Sequence, residues 1–96
     1  MKTVFYIILN IKTVDGFERY GQFFIGNDED FAYALFKKLQ GIEDPDEHCA
    51  LHLDFMETRH GLPLNLKVIG CTLQQLAENC KIITKETFRL LNLEDM

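Results

Sequence analysis

Three histidines, one cysteine and five of the fifteen acids of this 96-residue chain fall within DPDEHCALHLDFMETRH, residues 44–60. These are the side chains that bind zinc and move protons. What they can do together depends on the backbone beneath them. On a helix, His48 and His52 stand at i and i+4 and could chelate one metal ion. On a strand the same two are roughly 13 Å apart and cannot. The strand instead makes His52 and Asp54 same-face neighbours about 7 Å apart, with His60 at matching parity near the turn. A catalytic zinc takes three protein ligands, and this local spacing supplies two. The sequence therefore offers His52, Asp54 and His60 as a candidate binding or acid–base face. It names no catalytic residue, no metal ligand set and no cofactor.

The segment carries signals for both backbones. Asp44-Pro45-Asp46-Glu47 has the cap, the first-position proline and the acids of a helix start. The apolar pattern opposes it. On a helix, Leu51 and Phe55 fall nearly opposite Cys49, Leu53 and Met56. On a strand, Cys49, Leu51, Leu53 and Phe55 share one face, and His52 and Asp54 share the other. The expectation is a strand within 46–60.

The elements around it set where that strand can lie. Residues 3–12 read as a strand that is apolar on both faces: Phe5, Ile7, Leu9 and Ile11 on one, Val4, Tyr6 and Ile8 on the other. Asp15-Gly16 predicts a tight hairpin turn into a second strand near 20–25. A symmetric turn places Ile8 opposite Phe23, Tyr6 opposite Ile25 and Lys12 opposite Arg19; a one-residue bulge pairs Lys12 with Glu18 instead. GNDEDFAYALFKKLQG predicts a helix capped by Asn27 or Asp28, with acids in its first turn and Lys37-Lys38 in its last. Phe31, Ala32, Leu35, Phe36 and Leu39 form its apolar face. LPLNLKVIG alternates Leu64, Leu66 and Val68 against Asn65 and Lys67, so an extended segment is expected.

Residues 72–91, TLQQLAENCKIITKETFRLL, predict two helices. Thr72 with Gln75 reads as a capping box, and Leu73, Leu76, Ala77 and Cys80 as the first helix's apolar face. The segment resembles the helix-turn-helix of DNA-binding proteins. Leu73, Leu76-Ala77, Ile82 and Leu91 stand near that family's core positions, and Thr84 would cap the second helix. The resemblance covers about a fifth of the chain and implies that Lys85, Glu86 and Arg89 face a DNA groove. Three departures stand against it: the turn is one residue too long, Lys81 replaces the usual glycine, and residues 72–96 hold three positive and four negative charges.

Composition bounds the rest. A net charge of −5 gives a polyanion the wrong long-range field. Serine does not occur, which excludes a serine nucleophile. Cys49, Cys71 and Cys80 form neither a CxxC nor an even set, as expected of thiols in a reducing compartment. Cys71, at a predicted helix start, is the best placed of them for a nucleophile. The apolar run from Val4 to Leu9 is too short to cross a bilayer, and no small-x-small cleavage site follows it. These features predict one domain over 1–96, cytoplasmic and without a membrane partner. The expected fold is α+β, with a three- to four-stranded antiparallel or mixed sheet, order ββαβ(β)αα, and helices mainly on one face. The leading functional expectation is a small non-enzymatic protein acting by protein–protein contact, including self-association. The alternatives are DNA binding through Lys85 and Arg89, and a metal or acid–base site around His52 and Asp54.

Overall fold

The computed structural model of the chain describes residues 3–46 and 48–92. It is an α+β fold with one antiparallel five-stranded sheet and two helices. In chain order the elements are β1 (Val4–Thr13), β2 (Gly16–Gly26), α1 (Glu29–Lys37), β3 (Ile42–Glu43), β4 (Leu51–Arg59), β5 (Leu62–Cys71) and α2 (Leu73–Leu91). Across the sheet the order is β2-β1-β4-β5-β3. Two hairpins, β1–β2 and β4–β5, are thus joined edge to edge by the β1–β4 pairing. β3 adds two residues beside Ile69 and Gly70.

One face of the sheet holds the core. Phe5, Ile7, Ile25, Leu53, Phe55, Ile69 and Cys71 point from it toward Ala32, Leu35 and Phe36 of α1 and Leu76 and Ile83 of α2. Phe55 is fully buried at the centre. Its ring stacks on Phe36 at 4.9 Å and meets Tyr33 edge-on at 5.0 Å. Offset and edge-on pairs of this kind add to the area they bury. At the end of the same face Glu57 is buried, and Arg59 Nε donates to its Oε2 at 2.8 Å. The molecule measures 44 × 32 × 20 Å. Stacked layers lie about 10 Å apart, so the short dimension holds one sheet and one layer of helices.

Both helices begin where the sequence caps them. Asp28 accepts the Phe31 N–H at 3.1 Å. Thr72 and Gln75 bond reciprocally at 3.0 and 3.1 Å, completing the capping box. α2 departs from expectation in its length. It is one helix of 19 residues, not two. No glycine or proline lies between Thr72 and Leu91 to stop it, and Ile83 in its middle is buried, so the turn required by a helix-turn-helix does not form. Its buried face is Leu76, Asn79 and Ile83, whereas Leu73 and Ala77 are exposed. Asn79 is completely buried and clamps the chain after α1. Its Nδ2 donates to Gln40 O at 2.8 Å, and its Oδ1 accepts from Gln40 N at 2.7 Å.

Three registers also differ from expectation. The first turn lies at Val14-Asp15, one residue early, with Thr13 opposite Gly16. The Thr13 hydroxyl closes it by accepting the Asp15 N–H and donating to Gly16 O. This turn sets Lys12 opposite Phe17, and an irregularity between Leu9 and Asn10 then places Ile8 opposite Gln22 and Tyr6 opposite Phe24. In β5, an irregularity lets Leu66 and Lys67 both oppose Phe55, so Leu66 packs on the core while Val68 pairs with Asp54 on the other face. The segment 46–60 is a strand only from Leu51. Asp44, at φ 51°, and Pro45 turn the chain out of β3 instead of starting a helix.

Candidate functional site: the open sheet face

The face of the sheet away from the helices is built in rows. Cross-strand partners share a side, so the register defines each row from β2 to β5. One row is Phe24, Tyr6, Met56 and Asn65; the next is Gln22, Ile8, Asp54 and Val68; the third is Arg19, Asn10, His52 and Gly70. Phe17, opposite Lys12, extends the face beyond the third row. The first strand is therefore apolar on both sides because it serves two surfaces. Only one of these is covered by helices. Phe24 is 66% exposed and Phe17 43%, while Ile8 between them is buried by its neighbours.

The loop between β3 and β4 covers one corner. β3 and β4 lie on opposite sides of β5, so the chain must cross β5, and the helices occupy the other face. It crosses at Gly70. A Cβ there would stand 2.5 Å from Pro45 Cβ and 2.8 Å from Cys49 Sγ, so glycine is what lets the loop lie flat. Cys49 is accordingly a contact of this crossing and not part of β4's core face.

The polar group in the middle of the face contains two of the three residues singled out from sequence. His52 and Asp54 both face this side. Asn10 Nδ2 donates to Asp54 Oδ2 at 3.1 Å, and the His52 ring stacks on Phe17 at 4.2 Å. Asp54 Oδ1 and His52 Nε2 are shielded from solvent and take no hydrogen bond from the described residues. Burial raises the Asp54 pKa; the His52 charge and the Asn10 hydrogen bond oppose the shift but are smaller effects. His60 does not join them. It lies with Gly61 at the tip of the β4–β5 hairpin, at φ 54° and 79°, the pair of left-handed residues that a tight type I′ turn requires. Eight residues of extended chain put it roughly 27 Å from His52. His48 lies before β4, and its N–H bonds Asp46 Oδ1 at 2.8 Å.

This arrangement limits the available chemistry. No group of three or more His, Cys, Asp or Glu side chains that could hold a metal ion occurs among the described residues. His52 and Asp54 are neighbours on this face, and neither His52 Nε2 nor Asp54 Oδ1 takes part in a hydrogen bond among the described residues. Burial raises the thiol pKa of Cys71, with further contributions from Cys80 and Cys49, and burial also raises that of Cys80. That is opposite to what activates a cysteine nucleophile.

The residues proposed for DNA contact divide differently. Lys85 and Arg89 are exposed on α2. Glu86 is turned toward α1, where Lys38 Nζ lies 3.3 Å from it. No described helix is long and apolar enough to cross a membrane. The signals for the open face were present in the sequence as the second apolar set of β1, but its partners Phe24, Met56 and Val68 depended on registers that the sequence leaves open. Comparisons with protein-family models, with curated proteins and with solved structures gave no match.

Proposed function

We propose that the protein is a small non-enzymatic module that acts by protein–protein contact, and that the open sheet face is its contact surface. The observation that carries this reading is the row Phe24–Tyr6–Met56 above buried Ile8, on a sheet whose helices all lie on the other side. A large apolar side chain moved from water into an interface contributes about 1.5–3 kcal/mol. A patch of such residues on a surface marks a place where another molecule sits. Aromatic residues and methionine are also the types enriched where proteins meet. The polar group of Asn10, Asp54, His52 and Gln22 beside this row supplies direction and selectivity. Self-association belongs to the same reading.

The test is site-specific capture. A photo-crosslinking phenylalanine analogue at Phe24 is expected to trap a defined protein partner in the source cells. The same probe at Ala34, on the exposed side of α1, is expected not to. A Tyr6→Asp change in the Phe24-probe protein should abolish the product while leaving the circular dichroism spectrum intact. Equal, diffuse labelling from both sites would overturn the proposal.

A further inference from the structure

β5 is 10 residues long, but β3 pairs with only two of them, Ile69 and Gly70. The ladder stops because the chain turns away. Asp44 takes φ 51°, outside the range of a strand, and Pro45 after it has no N–H to donate. Among the described residues no strand pairs with 62–68 on that edge, and β4 holds the other edge. A cavity of about 750 Å³ lies in line with β3, and its lining shows how it meets β5. Residues 65–69 all contribute, one after another. Side chains of a strand alternate between faces. Ile69 belongs to the core face, while Val68 pairs with Asp54 on the open face. A cavity touched by consecutive residues of both faces runs along the strand's edge. Phe36 and Lys37 of α1, with Leu39 just after it, form the other wall. Glu43 and Asp44 stand at the end beside Ile69, the partner of Glu43.

We infer that this groove takes an extended peptide segment of a partner protein, added to β5 as a further length of strand in line with β3. It is a second contact site, independent of the sheet-face reading. Backbone chemistry selects the occupant. The N–H and C=O groups along a free strand edge are spaced to match another extended chain, and β3 already pairs with this edge in that way. At about 3.3 Å per residue, the edge over 64–68 matches a segment of about five residues. Pro63 sets the far limit, because it has no N–H for a ladder. The volume lies within the roughly 300–1,000 Å³ of ordinary ligand sites.

Charge fixes which segment fits. Every pairing in the sheet is antiparallel, β3 with β5 included. A segment in line with β3 runs the same way, so its first residue lies beside Glu43 and Asp44 and later ones beside Lys67. Glu43, Asp44, Lys37 and Lys67 are exposed, and none of them forms an ion pair among the described residues. The fitting sequence therefore carries a basic residue at its start and an acidic residue further on. Alternate side chains of the segment turn toward α1, over half-buried Leu39 and Leu66, where apolar residues fit. The reverse order of charges sets like against like along the groove, which excludes such segments.

The test uses the whole chain and a displayed library of random heptapeptides, followed by titration of the selected peptides into isotope-labelled protein. The selected sequences are expected to share the order basic, apolar, acidic, apolar. They should move the amide resonances of Asn65, Lys67 and Val68 and leave those of Tyr6 and Phe24 in place. Only every second N–H of an added strand points at β5. Two peptides N-methylated at alternate positions, offset by one residue, should therefore differ at least tenfold in affinity. Lys67→Glu should weaken the peptide about tenfold, and a peptide with lysine for its acidic residue should recover the loss. Tyr6→Asp should leave peptide binding unchanged, so the failure of one site is distinguishable from the failure of the other. A library that yields no peptide moving the β5 amides would overturn the proposal. So would equal binding of the two N-methylated peptides, which removes backbone pairing. A single capped amino acid binding as tightly as the peptide would refute it in favour of a small-molecule pocket.

Discussion

Replacing Asn79 tests the least expected feature of the core. Its amide is fully buried in α2, and it holds both the N–H and the C=O of Gln40 at 2.7 and 2.8 Å. Each such bond contributes about 0.5–1.5 kcal/mol net, so the pair contributes about 1–3 kcal/mol. Asn79→Ala also leaves a small cavity, which brings the expected loss to about 2–4 kcal/mol. For a domain of this size that is a fall in melting temperature of about 10–25 °C. The assay is urea unfolding followed by circular dichroism, read as a lower midpoint at unchanged slope. Asn79→Asp separates the clamp from simple filling of space. A carboxylate can still accept from Gln40 N, but it presents an oxygen to Gln40 O where a donor stood. Burial and that acceptor raise its folded pKa above the unfolded value. Its penalty is therefore greatest above the folded pKa and shrinks as pH falls through it, when the protonated acid can donate to Gln40 O. An Asn79→Asp protein as stable as wild type at pH 7, or one whose deficit does not shrink on acidification, would refute the clamp.

Two further outcomes follow from named contacts. The Asp54 pKa is raised in the folded state, so its ionisation opposes folding as pH rises through and above the unfolded value; Asp54→Asn is expected to raise the urea midpoint at pH 7, with the gain disappearing below the unfolded carboxylate pKa. Gly70→Ala puts a methyl group within 3 Å of Pro45 and Cys49, and the overpacking should cost about 1–3 kcal/mol, again measured by urea unfolding.

The sequence shows those parts of the fold that are written locally. Asp28, Thr72 and Gln75 announce helix starts because a cap needs only residues within one turn. Alternation across Leu51, Leu53 and Phe55 outweighs the helix signals of Asp44-Pro45 because a half-buried strand must put its apolar set on one side. The α+β class follows from these pieces. What stays hidden is decided between distant segments. The register of β2 depends on a Thr13 hydroxyl and two irregularities, and a shift of one residue moves Phe24 from one face to the other. Thr84 reads as a cap because threonine often is one, yet burial of Ile83 carries the helix through it. Asn79 looks like a surface residue until Gln40 is placed beside it. Gly70 reads only as the end of an extended segment until the chain must cross β5. His52 and Asp54 were visible as neighbours from the period of two alone, while the distance to His60 followed once that residue became the turn.

The position of Asp54 bears on how an open apolar face can be selective. Ile8 and Val68 are its cross-strand neighbours, and the Phe24–Tyr6–Met56 row adjoins it. A β-branched apolar residue at this point would suit the pleated surface and complete the patch. The carboxylate instead costs stability, since burial already raises its pKa in the free protein. In the proposed contact that cost has a consequence. An indifferent apolar surface laid over the patch gains the burial of Phe24, Tyr6 and Met56 but seals in Asp54, one of whose oxygens has no donor from the described residues. An unmade buried hydrogen bond costs about 1–3 kcal/mol, and more for a charged group. That offsets the burial of roughly one large side chain. A surface that presents a donor to Asp54 incurs no such penalty. The apolar row thus provides the attraction, and Asp54 restricts which surfaces can use it, which is how specificity arises from a repulsive element beside an attractive one.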